Sequence, residues 1–465
     1  MSSRLIQWTL ICAGILAGIR IPVAFGQTLP GQTDNSGANL STTAVPTRGL
    51  HIYSASVYFG YMTSAIPLNG VALNYSDPLG GIGGDEAYGT DISVGWQYQG
   101  RRTNISAVYS GGYDGMVRYS NTNAFNHSLS INASRQLSPR WTVTASGEGM
   151  DDTMAEYLFQ PSRLTTVTQA PTSFGDFAAA VGMGQFSSAQ VASVLTGAPI
   201  LESPERGLLL GDRVLSYTGQ VGVSYSYSSR LAVSLSGFTA AGQSQQGSGP
   251  NGLGNYVMPR STGINAGAQV TYMLSPRTQI SVDASEYAIW NSFQRARGTY
   301  GTLALARKMG EHWFMRGYGG GALTQVSQQT LGTPNTREVI GGGALGVKTY
   351  SHTLAATYDR SSYDTYGFAV GLITTEMGSW NWQHPGSRWS TFASFGEEQM
   401  RDTGFASLSG WQASGGISLR MSDQTVLTAQ YTHLISGGTY AGAFNQFTVD
   451  SIRLSLNWVP FSILR

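Results

Sequence analysis

The feature that most restricts this chain is a period of two. From Leu50 onward, apolar and small polar residues alternate, and short turns punctuate the alternation. The clearest unit surrounds residues 136–141 (Gln-Leu-Ser-Pro-Arg-Trp). Before it, Phe125, His127, Leu129, Ile131 and Ala133 share one face; after it, Trp141-Thr-Val-Thr-Ala-Ser-Gly alternates again. Side chains change face at every residue only in a strand, so two such segments joined by a turn read as a β-hairpin. The unit returns at residues 272–278 (Tyr-Met-Leu-Ser-Pro-Arg-Thr). Weaker copies are Tyr227-Ser-Ser-Arg-Leu and Leu419-Arg-Met-Ser-Asp-Gln-Thr.

Composition says what such a sheet can face. Of 465 residues only 11% are charged, against about 25% in an average soluble protein. A soluble domain so poor in charge should carry long apolar runs. Here Ser, Thr, Gly, Asn and Gln dilute the apolar residues at every second position. That suits an antiparallel sheet with one face on lipid and the other on a wet lumen. An open sheet edge in lipid leaves costly unpaired backbone groups, so the sheet must close into a barrel. The net charge of +1 points to no nucleic-acid partner. The single cysteine, Cys12, lies in the leader, so the mature chain has no disulfide, thiolate nucleophile or cysteine metal site.

The leader, residues 1–26, has Arg4 before an apolar stretch at 8–19, and Ala24-Phe25-Gly26 at its end. It reads as a secretory signal peptide cleaved after Gly26. The apolar stretch is short for a span, which needs about 20 apolar residues, and Arg20 interrupts it. Residues 27–49 are mostly small and polar and read as a flexible segment, leaving 50–465 as the barrel.

Along that barrel, residues 51–62 put Tyr53, Ala55, Val57, Phe59 and Tyr61 on one face. In the last strand Ile452, Leu454, Leu456 and Trp458 face outward, with Arg453, Ser455 and Asn457 inward. Roughly eight short turns imply about 18 strands, or about 16 with one hairpin fewer, an even number as single-chain bacterial barrels require. Connections at the other rim are longer, for instance 63–89, 240–260 and 325–337. Tyr98, Trp141, Tyr227, Tyr272, Trp313, Trp389 and Trp458 fall beside the short turns or the end of the last strand, as a headgroup girdle would. Tyr61, Tyr109 and Tyr358 fit the opposite girdle.

One connection, residues 150–213, is far too long for a hairpin. Within it, 173–196 abandons period two: Phe174, Phe177 and Val181, then Val191, Val194 and Leu195, fit short amphipathic helices. Asp176 and Ser187 are candidate N-caps, and Gly197 a candidate stop. The segment either folds into the lumen as a constriction or caps the surface.

Tests for chemistry give little. Gly341-Gly-Gly-Ala-Leu-Gly346 matches a dinucleotide fingerprint in letters, but it lies inside a strand and not between a strand and a helix. Glycines there permit close packing or a bend in the wall. The six histidines show no metal-ligand spacing, and there is no Gly-x-Ser-x-Gly elbow. No cofactor or metal is expected. More informative are Asp283, Arg316 and Arg453, which parity points into the lumen from mid-strand positions, although Arg316 shares its face with Phe314. Ionisable groups at membrane depth must face a polar interior, where they either line a pore or brace the wall in pairs. The parity of Glu376 is unreadable, because residues 368–376 lack clear alternation.

The leader, the alternating hairpins, the Ser-Pro-Arg turns and the closing Ile452-Arg-Leu-Ser-Leu-Asn-Trp458 together resemble bacterial outer-membrane β-barrel proteins of porin-like type. The likeness is architectural and covers most of 50–458. The chain departs from it by ending Val459-Pro-Phe-Ser-Ile-Leu-Arg465, without a terminal Phe. The resemblance implies a Gram-negative outer-membrane channel for small solutes, with membrane lipid and the barrel-assembly machinery as partners. Two other classes fit the same wall: a structural or adhesive barrel with a closed lumen, and an outer-membrane hydrolase with Ser, His and an acid converging at one rim.

Overall fold

A computed structural model describes residues 48–63, 84–117, 123–153, 213–244, 260–291, 294–310, 312–329, 335–363, 371–383, 386–401, 406–440 and 443–458. They form 18 strands in one sheet. The first six are β1 Arg48–Met62, β2 Asp85–Gln99, β3 Thr103–Met116, β4 Ala124–Ser138, β5 Trp141–Thr153 and β6 Arg213–Ser226. Then follow β7 Leu231–Ser244, β8 Ser261–Ser275, β9 Thr278–Trp290, β10 Gln294–Met309, β11 Trp313–Gln329 and β12 Thr336–Lys348. The last six are β13 His352–Tyr363, β14 Gly371–Gln383, β15 Trp389–Arg401, β16 Ala406–Arg420, β17 Thr425–Tyr440 and β18 Ala443–Trp458. Each strand pairs antiparallel with its neighbours in sequence, and β1 also pairs with β18, so the sheet closes into an up-and-down barrel.

The tight turns recur for a chemical reason. In five of them a serine hydroxyl accepts a hydrogen bond from the backbone N–H two residues on, which holds the chain in the turn: Ser138, Ser228, Ser275, Ser387 and Ser422. The arginine carbonyl of the same turn often accepts from the next hairpin. Arg140 O receives Ser226 N–H, Arg230 O receives Met273 N–H, and Arg277 O receives Lys308 N–H, each at 2.8 Å. Short turns are therefore stitched to one another around the rim. Gly310 and Gly386 sit in two others with φ of +70° and +81°, the left-handed region where a side chain is strained.

Outside, the wall is apolar: Leu129, Ile131, Leu235, Leu303 and Ile452 are all exposed. Inside, it is small and polar. The inner positions of β4, for example, are Asn126, Ser128, Ser130, Asn132 and Ser134. Trp141, Tyr227, Tyr272, Trp313, Trp389 and Trp458 are exposed on the outer surface near the short turns or the end of β18, and Trp96 stacks on Tyr98 there.

Three details differ from the sequence reading. Strands run further than alternation suggested: β11 reaches Gln329, β7 reaches Ser244 and β2 starts at Asp85. Beyond the lipid both faces are wet, so a strand can continue without an apolar side. The connections after β9 and β17 are only a few residues long, so the second rim is not uniformly built of long loops. Tyr53 leaves the outer face, because the β1–β2 register shifts between Ile52 and Ser54 and its ring lies against Gly95 of the inner face. Residues 1–47 and the 154–212 part of the long connection lie outside the described residues.

Candidate functional site: the barrel lumen

The inner wall is organised by a cross-strand row that occurs three times. In the first, Tyr58 of β1 pairs with Gly89 of β2, which pairs with Asp114 of β3. With no side chain at Gly89, the tyrosine ring lies flat across it, and the hydroxyl donates to Asp114. In the second, Tyr318 of β11 crosses Gly342 of β12 and donates to Asp359 Oδ2 of β13 at 2.7 Å. In the third, Tyr287 of β9 crosses Gly298 of β10 to reach Thr324 Oγ1 of β11 at 2.8 Å. A glycine inside a strand marks a close approach, and here an aromatic ring makes it.

Charge collects around the first two rows. Beside Tyr58, the Arg453 guanidinium stacks on the ring with its carbon 3.7 Å from the centroid, a close cation–π contact. Asp91 accepts from Ser56 Oγ at 3.0 Å, and Asp114 also accepts from Asn126 Nδ2 at 3.0 Å. Beside Tyr318, the Arg316 guanidinium carbon sits 5.1 Å from the ring centroid, and Asp283 and Asp359 both act on it electrostatically. Rows on β1–β3 and β11–β13 stand nearly opposite in an 18-strand ring.

Registers therefore turn Asp283, Arg316 and Arg453 inward. Phe314, on the same face as Arg316, is almost completely buried there. Glu376 pairs with the outward Tyr358 and with Glu397, so it stands on the outer face. Asp91, Asp114, Asp359, Tyr58 and Tyr318 were missed from sequence. Parity alone would have turned them inward, but nothing in one strand shows that a tyrosine two strands away completes the row. Phe174, Asp176, Phe177, Val181, Val191 and Leu195, the candidate constriction, lie outside the described residues.

Beyond the clusters, Glu148, Glu338 and Glu398 also take inward positions. Inward basic residues other than the two arginines, namely Lys308, Lys348 and Arg420, fall at the short-turn ends of their strands. The middle of the described wall thus carries an excess of carboxylate, and its short-turn mouth carries cations. Gly341 and Gly346, which bound the dinucleotide-like motif, both lie within β12.

Histidines with partners sit on the outer surface. His127 meets Tyr109 at 2.7 Å, and His433 meets Asp450 at 2.7 Å, where Tyr431 also donates.

No family model and no curated protein matches the chain. Among solved structures it is similar to OpdK of Pseudomonas aeruginosa, crystallised with vanillate, at 9% identity and a TM-score of 0.42, over 87% of this chain and 97% of that one. It is also similar to OccK2 (OpdF) of the same organism in complex with glucuronate, at 8% identity and 0.43, over 88% and 97%. OccAB4 of Acinetobacter baumannii matches at 8% identity and 0.42, over 87% and 96%. These are likenesses of shape, and the barrel itself rests on its strand registers.

Proposed function

We propose that the protein is a passive diffusion channel of the bacterial outer membrane for small solutes, with a preference for cations. The observation that carries this reading is the contrast between the two faces of a closed 18-strand wall: apolar outside, small and polar inside, with carboxylates in excess at mid-wall. A ring of this size is wider than its own side chains fill, so water occupies the middle. Carboxylates on such a wall raise the local concentration of cations and lower that of anions. Asp283, Arg316 and Arg453 belong to the selecting surface in this reading, and the 150–213 connection, with Phe174, Asp176, Phe177, Val181, Val191 and Leu195, narrows the path. Solutes cross without a cofactor or a chemical step.

Purified protein in planar bilayers should give discrete conductance steps. A salt gradient should give a reversal potential of the sign set by cation flow, and deletion of residues 173–196 should enlarge each step. A barrel that inserts but never conducts would support the closed adhesive form instead. Conductance with anion preference would overturn the role given to the carboxylates.

A further inference from the structure

One stretch of the outer wall cuts short the apolar band that lipid requires. A strand rises about 3.3 Å per residue and tilts about 40° in such a barrel, so each residue adds about 2.5 Å of height. An apolar band about 25 Å tall therefore takes about ten residues. On β2 and β4, Ile92 and Ile131 stand seven residues from the short-turn ends Gln99 and Ser138, and apolar residues continue upward to Tyr88 and Leu129. On β13, β14 and β15 the band ends sooner. Arg360 stands eight residues from His352, Glu376 seven from Gln383 and Glu397 eight from Trp389. All three lie on the outer face, above the exposed Tyr358 and Phe395.

Elsewhere at this height, outward charge is matched within the chain. Glu286 of β9 pairs with Arg297 of β10, and Asp450 of β18 is met by His433 and Tyr431 of β17. Arg360, Glu376 and Glu397 have no ion pair among the described residues. Glu376 and Glu397 are direct cross-strand partners, and like charges so placed weaken a sheet. Gln399 donates to Glu397 at 2.9 Å, but it is neutral. Arg360 feels Glu338 electrostatically, yet that carboxylate stands on the lumen side of the wall. Ionised groups on a lipid face are costly, and at membrane depth they pair or face a polar interior. Here a guanidinium and two abutting carboxylates stand side by side at one level with neither demand met.

We propose that this face binds a second copy of the chain about a two-fold axis along the membrane normal, with Arg360 of each copy held between Glu376 and Glu397 of the other. Charge complementarity selects this occupant. Such an axis keeps every residue at its height and reverses the order of the strands, so one patch meets itself. Set between β13 and β14, it brings Arg360 of each copy against Glu376 of the other, with Glu397 on the next strand. The planar guanidinium then lies between two carboxylates and cancels their mutual repulsion. All six charges leave the lipid, and Leu354, Tyr358 and Phe395 below them supply apolar contact. A lipid tail offers neither sign of charge at this depth. The proposal rests on the membrane reading above but not on conduction.

Native mass spectrometry of the full-length protein in a mild detergent tests it. The parent protein should be a dimer. R360Q, which removes only the cation, should raise the dimer dissociation constant at least about tenfold, on the scale of one charge-assisted hydrogen bond. R360E and E376R/E397R should each be monomeric alone, and mixing them should restore a dimer with one copy of each, because every pair re-forms with its signs exchanged. A folding defect gives no such rescue. If E376R/E397R fails to insert, R360Q decides. A monomeric parent, a trimer, a dimer that R360Q leaves as tight, or two folded variants that do not combine overturns the proposal. So does a parent dimer that EDTA dissociates, since a divalent cation would then sit between the carboxylates. Unitary conductance of R360Q in bilayers should equal that of the parent, and a dimer that never conducts would sink the channel reading alone.

Discussion

The Tyr58 and Tyr318 rows are the same device built twice, yet their arginines differ. Arg453 comes from β18, a strand away from Tyr58, and lies close on the ring face. Arg316 comes from the same strand as Tyr318, two residues earlier, and sits further from the ring with Asp283 and Asp359 acting on it. The first row therefore braces the seam where the barrel closes by close ring contact, with Arg453 also acting on Asp91. The second braces an ordinary stretch of wall, by charge. A Tyr–Gly–acceptor row is thus a structural constant, and the ions added to it are the variable part.

Variants can separate the two. The largest loss should come from Gly89→Val and Gly342→Val, because a side chain at either glycine meets both the tyrosine ring and a backbone oxygen of the next strand. We expect each to cost about 3 kcal/mol, the upper end for overpacking, read from urea unfolding followed by tryptophan fluorescence. Equal losses support one shared device, and a loss confined to one row breaks the equivalence. Next come Tyr58→Phe and Tyr318→Phe. Each removes a hydrogen bond to a carboxylate, at about 2 kcal/mol. Tyr287→Phe, whose acceptor is the neutral Thr324, should cost about 1 kcal/mol. Smallest in stability is Arg453→Ala, under about 1 kcal/mol for an arginine–aromatic contact; Arg316→Ala also takes a cation away from Asp283 and Asp359. Both should still move the reversal potential toward greater cation preference, and a shift toward anions in either would count against the lumen charge assigned here.

Much of this wall could be read from residues alone. Alternation places Ile131, Leu454 and Trp458 outward and Arg453 inward, because a membrane sheet writes its two solvents into every second residue, and the count of about eight short turns implies about 18 strands. Tyr53 escaped because a bulge changes parity without leaving a mark in composition. The rows escaped for a different reason. Tyr58, Gly89 and Asp114 come from three strands, and only register brings them into line. The glycines of β12 at 341–346 read as a bend or close packing, since the sequence does not say which face each one takes.

Closure has a consequence for how the barrel is made. Every other pairing joins strands adjacent in the chain, but β1 meets β18, with Ala55 opposite Trp458. Hairpins can therefore accumulate in order while two unpaired edges persist to the end. In lipid those edges carry a heavy cost, and the loop that the last pairing closes is nearly the whole chain. Until Trp458 pairs with Ala55 both edges stay open, so this last pairing, and not any hairpin, sets the moment at which the wall is sealed.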